Sequence, residues 1–138
     1  MDQKERNMQL INKELLDKVS QQAQESLRLR MNRNFHEAPD APAQRLLNAL
    51  QIGTDLPIHR HRYTAETYIL LQGELKVLYY NDQKEITKTA ILNPGKGNHG
   101  IHIPVGQWHT IEVLSPDSVI FEVKDGPYTP LTEEDMLK

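Results

Sequence analysis

Two histidines separated by one residue, His59-Arg60-His61, are where this sequence has its clearest capacity for chemistry. Side chains alternate across a strand, so both imidazoles would point to one face about 6 to 7 Å apart, close enough to reach a single metal ion. Glu66 follows five residues after His61, at the head of an apolar run, and can turn a carboxylate oxygen toward the same point. His109 stands 43 residues further on, directly after Pro104-Val105-Gly106-Gln107-Trp108, a turn that would feed a strand back across a sheet. Three imidazoles and one carboxylate are borderline donors suited to Fe(II), Mn(II), Co(II), Ni(II), Cu(II) or Zn(II). Taken singly the pieces are ordinary: a His-x-His pair is also a polar stripe or two hydrogen-bonded rings, and Pro-x-Gly-x-x-His is also a plain turn. The chain contains no cysteine, which removes disulfides, cysteine nucleophiles and thiolate metal sites together.

Parity along the strands nominates the neighbours of such a site. Tyr68 shares a face with Glu66 and is the catalytic candidate, as a hydrogen-bond donor or proton carrier; a core tyrosine with a satisfied hydroxyl is the alternative. Ile111 and Val113 share a face with His109 and would form an apolar wall. His102 is out of phase with Ile101 and Ile103 and is expected outside, and His99 falls in a Gly/Asn loop. Arg28, Arg30, Asn32, Asn34 and His36 make a polar stripe. If the stripe lines a barrel mouth, Arg28 and Arg30 are substrate-binding and would grip a phosphate or pyrophosphate. If it faces solvent, it is a charged edge that discourages aggregation. Arg60 and Arg62 point away from the ligand face, and Trp108 is expected at an interface or pocket rim.

The elements that must position these residues follow from periodicity. Leu15, Leu16, Val19 and Ala23 recur at helical spacing behind Asn12, a suitable N-cap, with Glu14 and Asp17 favouring the dipole. After Ser26 the period changes to two: Leu27, Leu29 and Met31 alternate with Arg28, Arg30 and Asn32, the pattern of a half-buried strand. The segment from His36 to Ala43, with two prolines, reads as a loop. Short strand-like runs then follow over 45–52, 58–62, 67–71, 75–80, 86–92, 100–104, 109–114 and 119–124, at a spacing that argues for an antiparallel sandwich or barrel. A last helical turn is expected over 132–137. The 138 residues fit an N-terminal helical extension (1–26), one β-barrel domain (27–126) and a C-terminal tail (127–138).

Composition narrows the partners. Sixteen Lys and Arg against nineteen Asp and Glu leave a formal net charge of −3, so no whole-chain basic field exists to hold nucleic acid. Neither a signal-peptide pattern nor a long apolar run is present, and the expectation is a cytoplasmic protein without membrane contact.

The assembled pattern Gly53-(x5)-His59-x-His61-(x4)-Glu66-(x6)-Gly73, followed by Pro104-x-Gly106-x2-His109, resembles the paired motifs of the cupin superfamily, position for position in the first. In the second motif Asn98 and Val113 stand where cupins usually carry a glycine and an asparagine; these touch a turn and an outlying polar group, not a ligand. The resemblance covers about residues 44–124. It implies a mainly β fold, a cupin jelly-roll β-barrel of the RmlC-like type preceded by an α-helix. It also implies one divalent metal ion per chain (Fe, Mn, Zn, Ni or Co) on His59, His61, Glu66 and His109, and a homodimer. Residues 27–36, 44–50 and 122–128 look like the WbuC-type small cupin metalloproteins, which are associated with O-antigen and other surface-polysaccharide gene clusters. That resemblance names a pathway and not a chemistry; together with the metal site it leads to the expectation of isomerase or epimerase chemistry on a small-molecule substrate, a sugar phosphate or nucleotide-sugar. A non-haem iron dioxygenase and a non-catalytic, metal-dependent sugar-binding module are the alternatives.

Overall fold

The computed structural model describes residues 7–138; residues 1–6 of the expected N-terminal extension lie outside the described residues. One helix, α1 (Lys13–Glu25), precedes ten strands: β1 (Arg30–Asn34), β2 (Ala43–Leu50), β3 (Ile58–His59), β4 (Glu66–Gln72), β5 (Leu75–Tyr80), β6 (Ile86–Leu92), β7 (Gly100–Ile103), β8 (Trp108–Val113), β9 (Ser118–Asp125) and β10 (Met136–Leu137). They form two five-stranded antiparallel sheets, ordered β1-β2-β9-β4-β7 and β10-β3-β8-β5-β6. This is the mainly β, jelly-roll arrangement that the family resemblance implies.

Period-two alternation divides each strand between the interior and an outer face. Glu66, Tyr68 and Leu70 of β4 stand opposite Lys124, Glu122 and Ile120 of β9, so all six share the inner face. His109, Ile111 and Val113 of β8 stand opposite Tyr79, Val77 and Leu75 of β5 and do the same in the second sheet. Between the sheets, Leu50, Leu70, Leu75, Val77, Leu92, Ile103, Val113 and Ile120 close one end of the interior as an apolar core.

The strands β2 and β9 carry apolar residues on both faces because both faces are covered. Their outer residues Leu47, Ala49 and Val119 pack against Leu16, Val19 and Ala23 of α1. The helix begins as the sequence suggests, with Asn12 Oδ1 accepting a hydrogen bond from the Leu15 amide at 3.0 Å. It lies on this chain's own sheet.

Several expectations are corrected. No strand begins at Leu27: Leu27 is fully exposed and Leu29 has φ +57° in the turn that leaves α1, so β1 starts at Arg30. The alternation persists through this stretch, but the chain must first reverse direction before it can pair with β2. The run expected over 58–62 forms ladder pairs only at Ile58 and His59, leaving His61 in the following loop. In the tail, a single 3₁₀ turn at Glu133–Asp135 gives way to β10, which pairs with β3 through Met136 opposite His59.

Candidate metal centre

Four elements bring the candidate ligands to one end of the barrel. His59 of β3 faces His109 of β8 as a direct cross-strand pair. Glu66 opens β4 in the opposite sheet, and His61 reaches across from the loop between them. Gly106, at φ +78°, makes the turn before His109 in a conformation that L side chains rarely adopt, and its amide donates to the His61 carbonyl at 2.9 Å. That bond ties the two halves of the motif together. The ligating atoms of His59, His61, Glu66 and His109 all lie within 4.8 Å of one another. Glu66 and His109 are buried, with 2% and 0% of their surface exposed, while His59 and His61 are half-buried toward the mouth.

Hydrogen bonding fixes where the lone pairs point. His109 Nδ1 donates to the Gln107 carbonyl at 2.8 Å, and His59 Nδ1 donates to the Pro57 carbonyl at 2.9 Å. A carbonyl only accepts, so the proton of each neutral ring sits on Nδ1 and leaves Nε2 as a bare acceptor. Burial and the neighbouring His109 push the His59 pKa down to about 4, which keeps that ring neutral at pH 7. Burial alone would raise the Glu66 carboxyl, but the imidazoles of His109 and His61 outweigh it and hold the group below the usual carboxylate range.

His61 Nε2 approaches Glu66 Oε1 to 2.7 Å, off the line a hydrogen bond needs, and His109 Nε2 lies 3.5 Å from the same oxygen. Glu66 Oε1 and His109 Nε2 are therefore buried without a hydrogen-bond partner among the described residues. Two facing buried acceptors repel unless a cation stands between them. The residues present fit a divalent ion, with donors of the borderline class.

Surrounding groups brace the cluster. The Tyr68 hydroxyl donates to Glu66 Oε2 at 3.0 Å, and burial raises its pKa well above the ordinary phenol value, so it stays a donor. Beside it lies Glu122, a buried carboxyl absent from the sequence-level candidates. Its Oε1 accepts from Asn48 Nδ2 at 2.9 Å, while burial and then the Glu66 charge push its pKa up. The available signal was parity: Glu122 lies two residues from Ile120 and so shares the inner face of β9 with it. A cavity of about 290 Å³ opens over the cluster, lined by Arg28, Arg30, Asn48, Glu122, Lys124 and Leu131 among others.

Of the polar stripe, Arg28, Arg30 and Asn32 line this cavity, with Arg28 and Asn32 also open to solvent, and Asn34 and His36 line an adjoining one, while Met31 and Phe35 on the other face pack against the core under α1. Arg30 is partly committed, its Nη1 donating to the Asp55 carbonyl at 3.0 Å. His102 is exposed and hydrogen-bonded to Thr67 Oγ1, and His99 is exposed in its loop, so neither joins the site. Arg60 and Arg62 turn away and hold Asp135 of the tail at 3.2 and 3.1 Å. Trp108 is not a rim residue: it is 7% exposed, donates Nε1 to Asp82 and carries the Arg60 guanidinium over its ring at 4.3 Å.

This barrel is a cupin fold, and 217 chains of solved structure match it. The Cnp3 cupin domain of Schizosaccharomyces pombe superposes with a TM-score of 0.56 at 10% identity, over 70% of this chain and 64% of that one. BH2720 from Bacillus halodurans gives 0.61 at 16% identity over 94% and 88%. The capsular polysaccharide assembling protein CapF of Staphylococcus aureus gives 0.58 at 22% identity, over 72% of this chain but 27% of its own. The chain thus spans less than two thirds of the Cnp3 domain and about a quarter of CapF. No curated protein matches the sequence. The chain belongs to the family described as a domain of unknown function, DUF6016, whose model matches residues 11–92. Among the described residues no helix is long and apolar enough to cross a membrane.

Proposed function

We propose that this chain is a metal-dependent cupin, similar to the WbuC-type small cupins, that binds one divalent ion per chain at His59, His61, Glu66 and His109 and acts on a sugar or nucleotide-sugar of surface-polysaccharide assembly, as an isomerase or epimerase. The observation that carries the metal reading is the buried, unpartnered pair Glu66 Oε1 and His109 Nε2, with two more ligands beside it. A bound ion would polarise a carbonyl or hydroxyl of the ligand. Tyr68 keeps the Glu66 carboxylate oriented through its hydrogen bond to Oε2. Glu122, on the same cavity wall, is the carboxyl left to exchange a proton with the ligand. The sugar reading draws support from the cavity's amide, carboxyl and cationic lining, and from the fold shared with a capsular polysaccharide assembling protein.

Elemental analysis of protein purified without chelators, beside Glu66→Ala and His109→Ala, tests this function. One ion per chain, lost in both variants, is the expected result. Stoichiometric metal retained in both variants, or no metal in the parent protein, overturns it. Iron with oxygen consumption would transfer the reading to a dioxygenase, and ligand binding without turnover to a binding module.

A further inference from the structure

Lys124 lies on the inner face of β9 directly opposite Glu66 in the β4–β9 ladder. The residues of such a pair have Cα atoms only about 5 Å apart, so the lysine stem starts beside a candidate metal ligand. Its side chain is half-buried and lines the cavity above the cluster. It also lines an adjoining cavity of about 320 Å³ bounded by Asn32, Asn34, His36 and Gln44. Among the described residues its ammonium makes no ion pair, whereas Lys13, Arg60, Arg62, Lys96 and Lys138 all do.

The charge around it is unbalanced. Arg28, Arg30 and Lys124 share the cavity with Glu66 and Glu122. Three cationic side chains thus stand over two carboxyls, and one of those, Glu66, is already turned into the histidine cluster. A divalent ion would widen the surplus. A half-enclosed cavity with excess positive charge is completed by an anion, and a flexible, uncommitted ammonium is the group best able to meet it.

We propose that Lys124 is the anion anchor of this site, holding a carboxylate or phosphate of the ligand next to the metal cluster rather than out at the arginine rim. The inference rests on the metal-site reading and adds the ligand's chemical class: a small polyhydroxy compound carrying an acid group close to the oxygens that meet the ion. Arg30 supports the same group from the other side with the guanidinium nitrogens its Asp55 and Thr54 contacts leave free.

The test is calorimetric titration of the metal-loaded full chain with inorganic phosphate and, separately, with D-glucuronate, using the parent protein, Lys124→Met and Lys124→Arg, with metal content read on every sample. At least one anion should bind the parent. Lys124→Met should weaken that binding about tenfold to a hundredfold, as expected on losing one hydrogen bond to a charged group. Metal content should be unchanged, and Lys124→Arg should restore most of the affinity. Binding of phosphate alone assigns a phosphorylated ligand, and of glucuronate alone a sugar acid. If neither anion binds the parent, or if Lys124→Met binds as well as the parent, the proposal falls while the metal site stands. An absent metal with intact, Lys124-dependent anion binding sinks the metal reading instead.

Discussion

The two ends of the barrel interior are built from the same strands and the same inner face, yet one is a ligand cluster and the other a dry core. Along β4 the inward residues run Glu66, Tyr68, Leu70; along β8 they run His109, Ile111, Val113; along β9 they run Glu122, Ile120, Ser118. Position along the strand, not the face, decides the chemistry. At the closed end Leu70, Val113 and Ile120 are buried among apolar neighbours and the one polar inward group, Ser118, donates to the Ser115 carbonyl at 2.8 Å, so burial needs no ion or ligand. At the mouth the inward groups are polar, and some remain unmatched: Glu66 Oε1, His109 Nε2 and Asn48 Oδ1 are buried without hydrogen-bond partners among the described residues. Natural proteins keep such groups where an ion or ligand completes them.

The largest effect that would break this comparison is at the mouth. His109→Ala should reduce bound metal from one per chain to none while the far-ultraviolet circular dichroism of the sheets is retained, because the closed-end core does not depend on it; metal analysis with the spectrum reads both. Second in size, Leu75→Ala at the closed end should cost about 2 to 5 kcal/mol in urea unfolding, the usual range for a buried leucine truncation, with metal content unchanged. Metal loss in that variant would mean that the two ends are one cooperative unit.

The pH response sharpens the contrast further. In chelated protein His59 is neutral down to about 4, whereas in the unfolded chain it protonates near 6.5. The unfolded state therefore binds the extra proton between those values. The stability due to the neutral ring is complete above pH 6.5, falls as the pH drops, and is gone below 4. Thermal melts at pH 7, 5.5 and 4.5 should show this slope, and His59→Gln should flatten it. The smallest effect is expected outside both ends, where Asp135→Ala removes the Arg60 and Arg62 pairs of the tail. It should lower stability by at most about 1 kcal/mol, less at high salt, with metal retained.

Much of this site was legible because ligand spacing and strand period are both local properties. Parity alone put Glu66 with Tyr68 and His109 with Ile111 on shared faces; that Glu66, His109 and the His59-x-His61 pair meet was read from the motif spacing, and in the structure it follows once β3 pairs with β8 and β4 begins in the facing sheet. Trp108 and Leu27 were misread for complementary reasons. A large aromatic in a polar stretch has no local signal that Arg60 and Asp82 will enclose it. An apolar residue in an alternating run has none that the chain is still turning.

The sequence by itself determined the class of fold, the helix with its Asn12 cap and the alternation of polarity along the strands, since each depends on residue type and periods of two or 3.6, and it named the four donors through their motif spacing. Only the tertiary structure decided that β1 turns Arg30 and Asn32 toward the metal cavity, that Glu122 and Lys124 stand beside Glu66, and that the tail comes back to pair with β3. Those outcomes hinge on which strands become neighbours, and strand pairing joins residues far apart in the chain through surface burial that no local pattern encodes.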